Sequence, residues 1–463
     1  MTTDNGLPLS GIRVLDLGQV YAGPTCARIL CDLGAEVIKV EGIHRMDTIR
    51  NLFVAENDGS DDYWNRGGYY VFRNVGKRSV VLEFTDSRAV ELFRRLVTTF
   101  DVVVENFTPR VMKNLGLGYE SLRLLRPDII VISMSGYGQS GPWRDYAAYG
   151  TGLEAVSGIC SLTGYRDGPP ARTGISFTDP VTGLVGAGAV LLALHHRRRT
   201  GKDQFIDLSQ HEAAIPLIGH ALMDFVMNRR ERPRQGNRDP VAAPQGCYRC
   251  RGEDDWLVIS AANDEQWRRL AEAVGHPEWA EDERFADVLS RRRHHDQLDA
   301  LIEAWTGEHD HIEAMHLLQR AGVAAAAVLN GKEVLLDPQL RERGAFDMVD
   351  VPGAGKRPVP RVLGARFSRF EARARGPAPK LGEHNREVLQ GLLGLSDEEV
   401  TRLEDEGVVG TEPVLMYPLP LARQVVVQPL FSFKQLGALL DTEPDYKEQL
   451  GLEGGENGPG PSR

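Results

Sequence analysis

The first 140 residues alternate between short unbroken apolar runs and helical stripes, and this alternation constrains the fold more than any other feature. Arg13-Val14-Leu15-Asp16-Leu17 reads as a strand. Gly23 and Pro24 open a helix that runs through Leu33, and Gly34 closes it. Glu36–Glu41 is the next strand, which completes a βαβ unit within about 30 residues. Ser79–Phe84, Asp101–Glu105 and Ile129–Ser135 read as further strands. Between them, Asp86–Thr99 carries Val90, Leu92, Phe93, Leu96 and Val97 as one stripe. Val/Ile-rich strands without polar alternation are buried on both faces, as in a parallel sheet covered by helices. The predicted class is α/β, with a Rossmann-like parallel sheet.

Such a sheet does not by itself make a dinucleotide enzyme. The turn after the first strand reads Gly18-Gln19-Val20-Tyr21-Ala22-Gly23-Pro24, which lacks G-x-G-x-x-G. The G-x-S-x-G, H-E-x-x-H and P-loop patterns are absent too. With 42% hydrophobic and 26% charged residues, the chain is neither disordered, collagenous nor a coiled coil. A net charge of −11 gives no general attraction for nucleic acid. The apolar stretch 184–194 is shorter than the roughly 18 residues of a membrane span. The start, MTTDNGLPLSG, lacks the basic and apolar regions of a signal peptide. Five cysteines suit a reducing compartment. The expectation is a cytoplasmic protein without nucleic-acid or membrane partners. Cys247 and Cys250 have CxxC spacing but no second pair, and read as strand residues. His309, His311 and His316 lack a single-face ligand spacing, so no metal is expected.

Composition breaks divide the chain further. Residues 1–228 are the first part of a large domain. Residues 229–246 form a linker, and 235–335 a smaller α+β domain with a strand at Trp256–Ala261, a helix at Asp264–Val274 capped by Asp264, and a strand at Ala324–Leu329. Residues 336–410 return to the large domain. Residues 411–463 are a C-terminal extension whose Gly/Pro/Ser-rich end, Gly455–Arg463, is expected to be disordered. Residues 182–200 read as a long helix rich in Gly, Ala and Leu. Arg197–Arg199 and Gly201 fit helix C-terminal chemistry, with a phosphate contact as the other reading.

Candidate nucleophiles are few. Asp179 has apolar neighbours and stands where a loop enters this long helix. Two readings are open. Asp is a preferred N-cap and Pro180 a preferred first helical residue. Alternatively, Asp179 is a carboxylate nucleophile in a partly desolvated site.

Four ordered segments resemble the family III CoA-transferases, the group that includes formyl-CoA transferase and the carnitine CoA-transferases. The first is Leu9–Leu17 with Ala22-Gly23-Pro24 and Leu33–Glu41. The second is Gly76-Lys77-Arg78-Ser79 with Leu82, then Asp101–Phe107. The third is Gly136-Tyr137-Gly138-Gln139-Ser140-Gly141-Pro142. The fourth runs from Leu162-Thr163-Gly164 to Asp179, with Arg198–Gly201 and Gln204 behind. Weaker similarity continues to about Gly410. The resemblance implies an enzyme that moves CoA from an acyl-CoA donor to a carboxylic acid acceptor, with coenzyme A or acyl-CoA as substrate and no metal. It implies Asp179 as the nucleophile, passing through a mixed anhydride and an aspartyl-CoA thioester. It places Val20, Tyr21, Leu82, Thr85, Asn106 and Phe107 at the CoA site, and it implies an interlocked homodimer. Loop 229–246 and the second domain are expected to shape the acyl pocket.

The chain also departs from the family pattern. Gly42, Asn114 and Ala147 stand where relatives carry phosphate-pairing cations; Arg45, Arg110, Lys113 or Arg144 are the nearby substitutes. Gly236-Asn237-Arg238-Asp239-Pro240 replaces a glycine-rich lid loop, against a formyl or oxalyl substrate. One alternative on the same fold is an acyl-CoA racemase, which uses a His-Asp acid/base pair; the corresponding pair here is Tyr149-Gly150, without the His. The other is a catalytically inactive CoA-binding subunit.

Overall fold

The computed structural model describes residues 6–57, 59, 61–414 and 445–452; the tail Gly455–Arg463 lies outside them. Six strands form one parallel sheet: β1 (Arg13–Asp16), β2 (Glu36–Glu41), β3 (Arg78–Val81), β4 (Val102–Glu105), β5 (Ile130–Ser133) and β6 (Gln204–Asp207). Their order is β3-β2-β1-β4-β5-β6, so the winding reverses between β1 and β4. Val14 pairs with Val37 on one side and Val102 on the other. Five of these strands match the unbroken apolar runs. β6 has no such run because it is an edge strand with exposed Gln204 and Asp207.

Alternate side chains of the strands feed two cores. On one face Leu15, Ile38, Val80 and Val103 pack with Phe93 and Leu96 of the helix Ser87–Val97 and with Leu389 near the C-terminus. On the other, Val14, Val37, Val102 and Ile130 meet Ile29 and Leu30 of helix α1 (Ala22–Asp32) and Val190 and Leu194 of the helix Thr178–Thr200. Each such side chain contributes roughly 1.5–3 kcal/mol on burial. A Cβ at Gly183 would lie 2.7 Å from Thr25 Cβ, so this glycine lets the long helix approach α1 at backbone distance.

The long helix begins at Thr178, four residues before the sequence suggests. By length and composition it is apolar enough to cross a membrane, which the uninterrupted stretch 184–194 alone did not indicate. Gly201 ends it in a left-handed conformation, φ 69°, and Arg197 pairs with Asp101 at 3.0 Å. Arg197 is thereby tied to the helix end and the sheet, as the helix C-terminal reading has it.

Charged residues also lie inside the sheet. Asp16–Lys77 (2.7 Å), Lys39–Asp47 (3.3 Å) and Glu41–Arg50 (2.7 Å) are enclosed ion pairs. Burial alone would raise the Glu41 carboxyl, but Arg50 holds it down at about 2.

Internal contacts group Met1–Ser157, Gly174–Gly219 and Pro338–Arg463 as one unit, and Gly158–Thr173 with His220–Asp337 as a second. In the first unit, a hairpin of β10 (Phe346–Val351) and β11 (Gly355–Pro360) follows the sheet in sequence. Part of the extension is tied to this unit: the Tyr446 phenol donates to Glu56 at 2.6 Å. The second unit is α+β. Its antiparallel sheet runs β7 (Gln245–Arg249), β8 (Trp256–Ser260), β9 (Ala324–Ala327). Trp267, Leu270, Phe285, Leu298 and Leu318 fill its core. Asn263, not Asp264, caps the helix Asp264–Ala273, accepting from Gln266 N. All five cysteines are free thiols, with Cys247 on β7 and Cys250 just beyond it.

Candidate active site

The turn after β1 is held by side chains from three other segments. Asp16 accepts from Gly18 N at 2.9 Å, Lys39 Nζ donates to Gly18 O, and Asp47 accepts from Val20 N at 3.0 Å. Asn106 clasps the Gln19 peptide, accepting from its N–H at 2.7 Å and donating to its carbonyl at 2.9 Å. Under these constraints Val20 takes φ 63°. A β-branched residue in that region is strained, and such strain persists only where surrounding bonds impose it.

Tyr21 follows. The Arg73 guanidinium lies 3.4 Å from the Tyr21 ring centroid and 3.9 Å from that of Tyr69. Arg73 comes from the helix Gly68–Asn74, donates to Tyr69 O at 3.0 Å and is 2% exposed. Tyr21 and Tyr69 themselves meet edge to face at 5.8 Å.

Asp179 is the second residue of the helix Thr178–Thr200 and is buried. The helix is preceded by Phe177, and no side chain among the described residues caps it. The capping reading is thus corrected: Thr178 opens the helix, Pro180 is its third residue, and the Asp179 carboxylate is not spent on the backbone. That carboxylate lies against Gly150, where a Cβ would come within 1.8 Å of Oδ2. Gly150 opens the helix Gly150–Val156, and its carbonyl accepts from Thr178 Oγ1 at 3.2 Å. Glu154, fully buried one turn on, accepts from Phe177 N at 2.7 Å. Burial pushes Asp179 up to about 6; Arg73 pulls it down and the Glu154 charge raises it. A partly desolvated carboxylate near a buried guanidinium is suited to nucleophilic work.

The other expected site residues divide. Val20 and Tyr21 follow β1, while Asn106 and Phe107 follow β4. All four thus lie at the C-terminal ends of the two strands flanking the reversal of strand order, where open α/β sheets bind ligands. Asn106 has both ends of its amide engaged by the Gln19 peptide, so it shapes the turn. Thr85 is exposed and donates to Glu83 at 2.8 Å. Leu82 is wholly enclosed in the core, which makes its side chain a support and not a lining group. Both follow β3, two strands from β1. Of the substitute cations, Arg110 and Arg144 share Asp145, at 3.4 and 3.8 Å.

Arg73, Gly150 and Glu154 are site residues that the sequence reading missed. The signals were faint: one cation in the aromatic run Tyr69-Tyr70-Val71-Phe72-Arg73, and a glycine where a racemase would carry part of its pair.

In the second unit, a cavity of about 750 Å³ is lined by Tyr165, Arg166, Arg234, Asn237, Arg238 and Tyr248, among others. His311, 3% exposed, lies between Glu333 (Nε2, 3.1 Å) and Asp255 (Nδ1, 3.7 Å). The carboxylates approach different ring nitrogens, and one ligand atom from each of the three residues lies within 4.8 Å of the others.

Residues 9–385 match the model of CoA-transferase family III. The succinyl-CoA–D-citramalate CoA-transferase of Chloroflexus aurantiacus is 36% identical over 87% of this chain and 98% of its own length. The succinate–glutarate CoA-transferase of Agrobacterium fabrum is 35% identical over 83% and 96%. The human succinyl-CoA:glutarate CoA-transferase is 30% identical over 88% and 91%. The crystal structure of a CAIB/BAIF family protein from Brucella suis superposes with a TM-score of 0.75 at 33% identity, covering 83% of this chain and 99% of that one. A family match over most of the chain, joined to a parallel sheet of the same architecture, places it in CoA-transferase family III, as an enzyme that transfers CoA between an acyl-CoA and an acid.

Proposed function

We propose that this transfer runs through covalent chemistry on Asp179. The observation that carries the reading is the buried carboxylate, unused for capping, pressed against the bare backbone of Gly150. One Asp179 oxygen attacks the thioester carbon of the donor and CoA leaves as thiolate, giving a mixed anhydride. The thiolate then attacks the aspartyl carbonyl of the anhydride. The donor acid departs as carboxylate, and an aspartyl-CoA thioester remains. An acceptor carboxylate attacks that thioester, and the same two steps in reverse regenerate Asp179 and release the new acyl-CoA. Each attack builds an oxyanion that needs fixed donors. The carbonyl of Tyr149 takes the N–H groups of Gly152 and Leu153, which leaves the amides of Gly150 and Thr151 to that role. The Tyr149-Gly150 pair puts no imidazole beside Asp179, which counts against racemase chemistry.

The relatives are named for succinate, glutarate and citramalate, so the substrate class for this chain is short dicarboxylic acids and their CoA thioesters. CoA binds at the ends of β1 and β4, over Val20, Tyr21 and Phe107. The test is trapping. After incubation with succinyl-CoA, hydroxylamine should convert one carboxyl to a hydroxamate, and peptide mapping should find it at Asp179. A label on another carboxylate, or exchange without any label, would overturn the route.

The working assembly is an interlocked homodimer. Supporting this, the helix Thr178–Thr200 exposes Leu184, Val185 and Leu192, while the helix Gly219–Asn228 exposes Phe225, Val226 and Met227. Large apolar side chains grouped in this way mark covered surfaces. Sedimentation equilibrium should show a dimer at all dilutions short of unfolding, and a reversible folded monomer would refute interlocking.

A further inference from the structure

We propose that a cavity lined by Thr25, Arg28 and Arg73 takes the far carboxylate of a dicarboxylic acyl group attached at Asp179. The proposal rests on the CoA-transfer reading above and assigns its selectivity to named residues. Three buried polar atoms have no hydrogen-bond partner among the described residues: Thr25 Oγ1, Arg28 Nη2 and Arg73 Nε. Their residues are 6%, 0% and 2% exposed. Buried donors are nearly always paired, so each of these atoms is a donor still lacking its partner. All three residues line the same cavity of about 170 Å³. That is some ten times the ~10–15 Å³ needed to hold one water.

The cavity adjoins the nucleophile through the chain itself. Pro180, the residue after Asp179, lines it, as does Leu184 one turn along the same helix. Tyr21, whose ring carries Arg73, lines it too. Its charges are unequally matched. Arg28 holds Asp32 at 2.7 Å and donates to Phe72 O at 2.7 Å. Arg361 is bound to Asp347 and Glu371 at 3.0 and 2.9 Å. Arg73 makes no ion pair among the described residues; its partners are the rings of Tyr21, Tyr69 and Phe72 and the Tyr69 carbonyl. The lining thus offers one guanidinium without a direct ion pair and three donors without a partner among the described residues. A carboxylate, which only accepts, satisfies them. A methyl group in its place leaves all three unpaired. Sites built to bond a polar group reject an analogue that lacks it far more strongly than an apolar pocket does.

The test compares identity exchange of succinyl-CoA with isotopically labelled succinate against butyryl-CoA with labelled butyrate, which has the same chain length without the second carboxylate. Wild type should favour the succinyl pair by roughly 10²-fold or more in kcat/KM. Thr25→Val, which keeps the side-chain shape, and Arg73→Met should each cut that ratio at least about tenfold. Arg73 also acts on Asp179, so each ratio is read on the alkaline plateau of its own pH profile. Arg28 is probed with Arg28→Met combined with Asp32→Asn, so that no carboxylate is stranded. A purely structural role would lower both exchanges together and leave the ratio alone. An unchanged ratio in Thr25→Val and Arg73→Met, or a wild type indifferent to the second carboxylate, would overturn the proposal. Selectivity that depends on these residues without any label on Asp179 would sink the covalent route and leave the pocket standing. A labelled Asp179 without selectivity would sink the pocket alone.

Discussion

Asp179→Asn is expected to lower turnover by roughly 10⁴-fold or more with the fold intact, because an amide cannot form the anhydride. Stability should move the other way. Burial pushes Asp179 up to about 6, so the folded state prefers its protonated form. A group with a raised folded pKa stabilises fully below its unfolded value, near ~3.9, and loses that contribution as pH rises through about 6. In mildly alkaline buffer the ionised carboxylate then costs on the order of 2–3 kcal/mol. Asn does not ionise, so the variant should melt at or above wild type there, and the difference should close as pH falls towards 4. The same titration limits the enzyme: kcat/KM of wild type should decline as pH drops below about 6, since only the ionised carboxylate attacks. Thermal melts and rates across pH check both arms. Turnover within tenfold of wild type would remove Asp179 as nucleophile. A variant much less stable than wild type in alkaline buffer would contradict the buried-carboxylate account. Asp179→Ser, which cannot revert by deamidation, controls for traces of restored Asp.

The sheet was legible because its cause is local. Val102-Val103-Val104 and Ile130-Val131-Ile132 are strands buried on both faces, and no other short element tolerates such runs. The charges inside the same sheet were not legible. Lys39 looks like a solvated residue between Ile38 and Val40 until Asp47 and the Gly18 carbonyl are placed on it. The site failed to show for the same reason. Asp179 invites a capping assignment from its neighbours alone, because Asp before Pro is what a helix start looks like. What decides against capping is the backbone, which turns helical at Thr178, and the approach of Gly150, 29 positions earlier. Arg73 was invisible on similar grounds: its meaning depends on Tyr21, 52 positions earlier and beyond a helix and a strand. Resemblance supplied the nucleophile, while the groups that tune it came from tertiary contacts.

Gly150→Ala is expected to cost about 10²-fold in kcat/KM for CoA exchange without unfolding the protein. The new Cβ would fall 1.8 Å from Asp179 Oδ2, 2.8 Å from its Cγ and 2.6 Å from Ser176 Cβ. The first two are the end of a movable side chain, so the carboxylate swings away. Ser176 Cβ is fixed by its backbone, so the loop before the helix shifts as well. Misplacement of a reacting atom by about 1 Å is enough for a loss of this size. Stability is buffered only in part, because Gly150 is the first residue of its helix and Ala gains less there than the roughly 1 kcal/mol of a helix interior. Gly152→Ala is the matched control: it lies in the same short helix, is exposed, and its Cβ would meet nothing within 4 Å. That variant should keep its rate and gain slightly in melting temperature. If both substitutions leave the rate alone, the carboxylate does not work from its place against Gly150. If both abolish it, the helix as a whole, and not the gap beside Asp179, is what the reaction needs. Only loss at 150 with retention at 152 matches a nucleophile whose position depends on a missing side chain.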